Sequence, residues 1–272
     1  MTRHLRKMPL TALFGVVVIV IYAVVAIFAP LIAPHPETAI VGQEYLPWSD
    51  EFPLGTDSLG RDMLSRLIYA ARNTLGIALA TTIIAFALGC SAALVAATMQ
   101  GWVDQALSRA VDVMMSIPTL ITSLLLLTIF GTSVLNLILI IALLYSTVVF
   151  RIARAVAMGI VVMDYVEAAR IRGERMAWVM FREVLPNAAT PLVAEFGLRF
   201  TFVFLTISAL SFLGLGVQPP LADWGAMVRE NASLITFGDL TPLLPAGAIA
   251  LLTLAVNFIV DWMLHVASGL KD

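Results

Sequence analysis

Five long stretches of the chain contain no charged residue, and each is long enough to cross a lipid bilayer as a helix. A span needs about 20 apolar residues, and the stretches cover residues 8–34, 73–103, 113–150, 200–222 and 240–260. Charged residues make up 12% of the chain, against about 25% in a soluble domain. Helices satisfy their own backbone hydrogen bonds inside lipid. The sequence therefore predicts an all-α integral membrane protein.

The third stretch is too long for a single span. A helix over residues 113–150 would measure about 57 Å, whereas the hydrocarbon core is about 30 Å thick. Gly131, Thr132 and Ser133 lie near its middle and are typical of a tight turn. We therefore expect six spans in one transmembrane domain, residues 1–272. They lie near residues 9–33, 74–98, 108–130, 134–156, 191–217 and 241–264.

The basic residues predict the orientation. With six spans, 11 of the 16 basic residues lie on one side, including all those of the arginine-rich segment 157–187, and four lie on the other. Because short cytoplasmic segments are enriched in Lys and Arg, we expect both termini and residues 157–187 in the cytoplasm, and a long outer loop at residues 34–72. The uncharged stretch 8–34 is longer than the apolar region of a signal peptide, which usually has about 7–15 residues. We therefore expect that it is not cleaved off and forms the first span.

A charged segment, residues 164–191, interrupts the apolar chain. It contains Arg170, Arg172, Arg175 and Arg182, so it lies in water or against another protein. A helical face is expected from Val166, Ala169, Gly173, Met176, Ala177 and Met180. Gly173 indicates either a helix break or a close contact. Pro186 is expected to end the helix.

Two further features contain candidate functional residues. The outer loop has turn-forming residues at Gly55, Asp57 and Gly60, and the spacing after Arg61 predicts a short amphipathic helix on the outer surface. Within the fifth span, Glu195 and Arg199 are four residues apart and can pair on one helix face. A structural pair, or a pair that faces a partner subunit, is favoured over a contact with substrate.

Several chemistries do not fit the sequence. A nucleotide-binding P-loop needs a lysine, and the only lysines are Lys7 and Lys271. The three histidines are far apart, and Cys90 is the single cysteine, so no metal site is predicted. We expect no catalytic residue in this chain and no nucleic-acid partner. A secondary transporter and a scaffold protein remain alternatives, although no internal repeat is evident.

Three segments resemble one protein family. Glu167-Ala168-Ala169, Gly173 and Leu185-Pro186 follow the spacing of the cytoplasmic loop of ABC-importer permeases, with Glu183 in place of the usual Ile. Residues 54–67 resemble the C-type permease subunit of dipeptide, oligopeptide and nickel importers, and so does the glycine-rich run at residues 211–225. Near the end, Asn257 and Asp261 match the family, whereas the tail after them differs.

The resemblance implies a type I importer permease fold in the bacterial inner membrane. It implies that the coupling residues contact an ATPase subunit; these are Tyr165, Glu167, Ala168, Ala169, Arg170, Gly173, Leu185 and Pro186. It implies that the outer-loop residues contact a solute-binding protein; these are Gly55, Thr56, Asp57, Gly60, Arg61 and Asp62. The implied partners are a homologous B-type permease, two ATPase subunits carrying ATP and Mg²⁺, an external binding protein and the bilayer. Peptide is the favoured substrate, with nickel chelates, opines and other small solutes as alternatives. The alternative for the charged segment is an amphipathic helix that lies on the inner membrane surface without contacting a partner protein.

Overall fold

The computed structural model describes residues 9–268, and within this range the chain is helical apart from its connecting loops and two isolated β-bridges. The helices are α1 (Leu10–Ile32), α2 (Met63–Met99), α3 (Gly101–Met115), α4 (Thr119–Phe130), α5 (Val134–Val161), α6 (Asp164–Ile171), α7 (Met176–Phe212), α8 (Trp224–Asn231) and α9 (Leu243–Ser268). The prediction of an all-α protein is confirmed. The predicted cytoplasmic termini, with Arg3, Arg6, Lys7 and Lys271, lie outside the described residues.

Five of these helices are long and apolar enough to cross a membrane: α1, α2, α5, α7 and α9. Helices α3 and α4 meet at a bend of 83° and pass the same test only as a pair, which gives up to six spans. The bend follows from Pro118, which precedes α4 and disfavours helical backbone at Ile117. The region of the predicted third span, residues 108–130, is therefore a bent pair of helices.

The turn that separates α4 from α5 lies where the sequence predicts it. Gly131 has a φ of +88°, which glycine adopts without steric cost. The Ser133 hydroxyl accepts a hydrogen bond from the backbone N–H of Asn136 at 3.2 Å and so caps α5. This turn lets α5 return across the bundle beside α2.

Helices α2 and α5 form the centre of the bundle. Small residues of α2, among them Ala78 and Ala85, are fully buried. At Gly89 a Cβ atom would lie only 2.6 Å from the carbonyl oxygen of Ser146 and 2.7 Å from Cβ of Val149. Glycine is therefore required for the two backbones to approach this closely.

Helix α2 begins earlier than the sequence predicts. Its N-cap is Asp62, whose side chain accepts a hydrogen bond from the N–H of Ser65 at 2.9 Å. The expected short surface helix after Arg61 is instead the first part of α2, which continues without a break to Met99. At about 1.5 Å per residue, α2 is longer than the hydrocarbon core is thick, so its first turns extend into the outer loop.

The prediction that Pro186 ends the helix is wrong. Helix α7 continues through it, by way of one α-turn (Met176–Trp178), a π-helical segment (Val179–Val184) and a long α-helical part (Leu185–Phe212). In the π segment the N–H of Leu185 donates to the carbonyl of Met180, five residues back. The wider turn just before Pro186 accommodates a residue that has no N–H and whose ring would clash with a preceding carbonyl.

Candidate functional site

Helix α6 ends in a turn that favours glycine. Gly173 has a φ of +81°. Its N–H donates to the carbonyl of Arg170 at 3.0 Å, and the N–H of Glu174 donates to the carbonyl of Ala169 at 3.2 Å. These two bonds form a Schellman motif, with Gly173 at the position just after the helix. Of the two predicted roles of Gly173, the structure shows the helix break; a Cβ there would have no neighbour within 4 Å in this chain.

One face of α6 packs against the bundle. Val166 and Ala169 are fully buried and belong to a cluster that also contains Ala97 of α2, Val161 of α5 and Val184 of α7. The predicted role of Ala169 in contacting an ATPase subunit does not fit this position, because its side chain is enclosed by its own chain. The sequence pattern placed Val166 and Ala169 on one face correctly, and that face points inward.

The opposite face of α6 is open. Tyr165 is 41% exposed, and Glu167 and Ala168 are also exposed. Large apolar side chains surround them on the same part of the chain: Val162, Met163, Ile171, Met176, Trp178 and Phe181, with exposed fractions from 36% to 79%. Exposed large apolar side chains grouped in one segment with charged residues are typical of an interaction site. We call this set of exposed residues, 162–181, the coupling surface.

One arginine joins the coupling surface to α2, and a second lies near the π segment of α7. A terminal nitrogen of Arg170 donates to the carbonyl oxygen of Thr98, in the last turn of α2, at 3.3 Å. A cation at this position also interacts favourably with the C-terminal end of the helix. Arg172 approaches Glu183 of the π segment at 4.0 Å, with an exposed guanidinium. The last two predicted coupling residues lie at the edge of the surface, where Leu185 is half-buried in the core and Pro186 is exposed.

The predicted pair within α7 is formed. Arg199 donates from Nε to Oε1 of Glu195 at 2.9 Å, and a terminal nitrogen donates to the same oxygen. The guanidinium carbon lies 5.9 Å from the ring centre of Tyr145 and 5.4 Å from that of Phe202. Both charged side chains are about nine-tenths buried. This environment, with the acid and two aromatic rings around the cation, fits the structural role that the sequence favours.

A network of four charged residues lies beneath the outer loop. Asp57 Oδ2 accepts from Nε of Arg61 at 2.7 Å and from Nη1 of Arg66 at 2.5 Å. The same nitrogen of Arg66 donates to Oε2 of Glu230, in α8, at 2.9 Å. Asp57 Oδ1 accepts from the backbone N–H groups of Leu59 and Arg61. Two acids and two arginines therefore neutralise one another; we call this set the outer network.

The charge of Asp57 is favoured by its surroundings. Burial by itself raises the pKa of this carboxyl, but the N–H donors of Arg61 and Leu59 and the positive charges of Arg66 and Arg61 outweigh it. The resulting pKa lies below the ordinary value for aspartate. Asp57 thus stays ionised and holds both arginines in place at neutral pH.

The structure changes the expected role of the predicted outer-loop residues. All six of them, Gly55, Thr56, Asp57, Gly60, Arg61 and Asp62, are buried within the chain. Direct contact between their side chains and a binding protein does not fit this burial. They lie inside the loop, whose exposed apolar residues include Ile40, Trp48 and Leu59.

A second polar cluster joins the outer loop to α2 and α8. Glu37 Oε2 accepts from the side-chain amide of Asn73 at 2.9 Å and from the N–H of Ala222 at 2.8 Å. Asp223, the N-cap of α8, accepts from the hydroxyl of Thr74 at 2.8 Å and from the N–H of Ala226 at 2.9 Å. Deep burial raises the pKa of Asp223, against these hydrogen bonds.

Sequence reasoning did not assign roles to most of these residues. Arg66 and Glu230 are 164 positions apart, and Thr74 and Asp223 are 149 apart, so no local spacing links them. No local signal marked the burial of Arg66 either, because in a helical projection it lies off the apolar face that Met63, Leu64 and Leu67 form. Among residues 9–268, no group of His, Cys, Asp and Glu has the arrangement of a metal site.

Comparison with known proteins places this chain in a family. Residues 85–268 match the model of the binding-protein-dependent transport system inner membrane component. Residues 2–47 match the N-terminal transmembrane domain of oligopeptide transport permease C. The first match contains the charged segment 164–191 and the glycine-rich run 211–225, whereas residues 54–67 lie between the two matched ranges.

Several relatives and one solved structure are similar over most of their length. The dipeptide transport system permease protein DppC of Escherichia coli (strain K12) is 34% identical over 99% of this chain and 90% of its own. The di/tripeptide transport system permease protein DppC of Pseudomonas aeruginosa (strain UCBPP-PA14) is 34% identical over 96% of this chain and 86% of its own. A crystal structure of an amino acid ABC transporter with histidines has a TM-score of 0.54 at 23% identity. The structural match covers 72% of this chain and 91% of the amino acid transporter chain, and the two chains share the same fold.

The family consists of membrane subunits that have no catalytic activity of their own, which agrees with the absence of a P-loop in the sequence. Several apolar helices and bacterial relatives place the chain in the bacterial inner membrane, which it crosses several times. The chain belongs to the family of binding-protein-dependent transport system inner membrane components, the permease subunits of ABC importers.

Proposed function

We propose that this chain forms half of the translocation pore of an ATP-driven importer of small peptides. Its partners are a homologous B-type permease, two ATPase subunits that bind ATP and Mg²⁺, and an external solute-binding protein. The termini and residues 157–187 lie in the cytoplasm, and the outer loop faces the binding protein. The six spans lie near the positions that the sequence predicts, with α3 and α4 together as the third.

The observation that carries this proposal is the geometry of α6. The helix presents Tyr165, Glu167 and Ala168 outward, while its other face is packed on the bundle. The Schellman turn and the hydrogen bond from Arg170 to Thr98 fix its position relative to α2. An exposed helix that is held firmly at both its face and its end suits a contact that transmits force. An ATPase subunit is the partner that an importer permease needs on this side.

A peptide substrate is supported by the names of two similar relatives. Both are described as dipeptide or di/tripeptide permeases, and each aligns with more than nine-tenths of this chain. The binding protein selects the solute in such a system, so the substrate is tested there. Calorimetry of that protein with a set of di- and tripeptides, and with nickel chelates and opines as competing classes, is expected to show binding of peptides alone.

The docking role of α6 is tested by one substitution made at two places. Ala168→Trp adds a bulky ring to the exposed centre of α6, and Ala232→Trp adds the same ring to an exposed position after α8. Both variants are expected to insert normally. Only Ala168→Trp is expected to lose the ATPase subunits on purification and to lose peptide uptake in proteoliposomes. Wild-type ATPase retention in Ala168→Trp would indicate that α6 lies on the membrane surface, and the docking role would be rejected.

A further inference from the structure

The outer network joins two parts of the chain that are far apart in sequence. Arg66 lies in the first turns of α2, Glu230 in the last turn of α8, and Asp57 in the loop before α2. Nη1 of Arg66 is shared between Asp57 Oδ2 at 2.5 Å and Glu230 Oε2 at 2.9 Å. Nη2 of Arg61 adds a longer contact to Glu230 at 3.7 Å. One nitrogen atom therefore links the outer loop, α2 and α8.

Because the linked side chains are buried, breaking this link would cost much free energy. The side chains of Asp57 and Arg66 are 0% exposed, that of Arg61 is 6% exposed and that of Glu230 is 16% exposed. Nε and the other terminal nitrogen of Arg66 have no hydrogen-bond partner among residues 9–268. If α8 moved away from α2, Arg66 would lose one of its two acids in a site closed to water. Removal of one partner from a buried ion pair is strongly unfavourable, so α8 and α2 are expected to stay together.

Helix α8 is fixed to α2 at its other end as well. Its N-cap, Asp223, accepts the hydroxyl of Thr74 at 2.8 Å, and the indole N–H of Trp224 donates to the carbonyl of Leu67 at 3.1 Å. In this first turn Gly225 brings α8 against α7, since a Cβ there would lie 2.2 Å from the carbonyl oxygen of Ser208. Helix α8 is thus joined to α2 at both of its ends and to α7 in its first turn.

We propose that Arg66 is a positioning residue, which holds the outer loop and α8 as one rigid platform so that docking on the loop displaces α8 and with it α7. This inference rests on the proposed function, in which a binding protein docks on the outer loop. The platform comprises the loop residues around Asp57, the first turns of α2 and α8. Arg66 itself touches neither the solute nor the binding protein, because it is fully enclosed.

The test measures whether the loop and α8 move together. Nitroxide labels are placed at Leu59→Cys in the outer loop and Ser233→Cys just after α8, two exposed positions, in a Cys90→Ala background. Distances between the labels are measured by pulsed electron resonance in the assembled complex, at rest and trapped with ATP and vanadate. We expect a single narrow distribution with the same mean in both states.

The critical variant is Glu230→Gln, which keeps the shape of the side chain and removes the charge that pairs with Arg66. We expect the distance distribution to broaden in this variant. In Glu230→Asp, which keeps the charge, we expect it to be as narrow as in the wild type. The control is Arg72→Gln, an exposed arginine on the same helix as Arg66, which is expected to match the wild type. The maximal stimulation of ATPase activity by the peptide-loaded binding protein is expected to fall at least about five-fold in Glu230→Gln, the lower end of typical coupling between sites.

Three results would overturn the proposal. The first is a wild-type distance that differs between the two states, and the second is a Glu230→Gln distribution that matches that of Arg72→Gln. The third is loss of complex assembly in both Glu230 variants, which would make the network a requirement of folding. Failure of the proposed function has a separate sign, namely no vanadate-sensitive ATPase activity in the wild-type complex. If the wild-type complex had no such activity, the role of Arg66 would still be tested by comparing the distance distributions of Glu230→Gln and Arg72→Gln in the resting complex.

Discussion

Arg170 and Thr98 are 72 positions apart in the sequence, and the side chain of the first donates a hydrogen bond to the backbone carbonyl of the second at 3.3 Å. Thr98 lies in the last turn of α2, whereas Arg66 of the outer network lies in its first turns. These 32 residues of unbroken helix span about 48 Å. A single rigid element thus connects the coupling surface to the outer network, which is the kind of physical continuity that coupling across a membrane needs.

Arg170→Ala is expected to weaken this connection. A hydrogen bond from a charged donor contributes about 1.5–3 kcal/mol, and its loss frees the end of α6 from α2. We expect a lower rate of peptide uptake, with ATPase subunits still bound. Arg172→Ala is the matched control, because the exposed contact of Arg172 with Glu183 at 4.0 Å contributes only about 0–1 kcal/mol. Equal uptake rates in the two variants, measured in proteoliposomes, would contradict this role of Arg170.

Substitutions of Gly173 are expected to act first through the backbone conformation that they allow, and only then through the size of the new side chain. A non-glycine residue at a φ of +81° is disfavoured by about 1–2 kcal/mol, and asparagine tolerates this region better than other residues. Gly173→Asn is therefore expected to keep most of the uptake activity, and Gly173→Leu to lose it. Thermal unfolding of the purified chain separates the causes. No atom of the chain lies within 4 Å of a Cβ at this site. A loss of uptake in Gly173→Leu beyond that of Gly173→Ala, with equal thermal stability of the two variants, would therefore indicate a clash with a partner of this chain.

Some of these features were predictable because they are local. The turn at residues 131–133, the helix break at Gly173 and the i, i+4 pair of Glu195 and Arg199 each follow from a few neighbouring residues and their intrinsic preferences. The course of α7 through Pro186 was not predictable from the proline alone, since it depends on a π segment that absorbs the missing hydrogen bond.

The outer network shows the limit of sequence reasoning more clearly. Asp57 and Arg61 were singled out from turn chemistry and family resemblance, yet turn signals carry no information about burial. The burial of Asp57 and Arg61 depends on the packing of α8 against the bundle. It also depends on Glu230, which pairs with Arg66 from 164 positions away. The direction of the α6 face is non-local in the same way, because it depends on which helices lie beside it.

The Glu195–Arg199 pair is expected to be structural and not to contact the solute. Glu195→Leu alone leaves Arg199 buried without its acid, which costs about 3–5 kcal/mol for a pair of this kind. The double variant Glu195→Leu with Arg199→Met removes both charges and is expected to recover most of the thermal stability and of the peptide uptake. Stability is measured by thermal unfolding in detergent. Recovery of stability without recovery of uptake would assign the pair a direct role in transport.

The outer network is expected to weaken in acid. The pKa of Asp57 is lower in the folded chain than in the unfolded one, so its contribution to stability is fully present above the unfolded pKa of about 3.9. This contribution is lost as the pH falls through the folded pKa, since the neutral acid no longer holds Arg61 and Arg66. Asp57→Asn is expected to lower the melting temperature at pH 7 and to flatten its decline at low pH. Asp50→Asn, at an exposed position of the same loop, is expected to leave the pH profile unchanged.

The orientation of the chain in the membrane is tested by two cysteines in a Cys90→Ala background. Ser133 lies in the turn between α4 and α5, and Arg175 lies just after Gly173; both are exposed. Because 11 of the 16 basic residues lie on the predicted cytoplasmic side, Ser133→Cys is expected to react with an impermeant maleimide from outside intact cells. Arg175→Cys is expected to react only after the membrane has been permeabilised. Ser133 caps α5, so the labelled variants are also checked for normal insertion. The reversed pattern, with Arg175→Cys reactive from outside and Ser133→Cys only after permeabilisation, would mean that α3 and α4 together do not cross the membrane, and the six-span topology would have to be replaced by five spans. Labelling of both positions from the same side would mean that α5, the span between them, does not cross, and the six-span topology would be rejected.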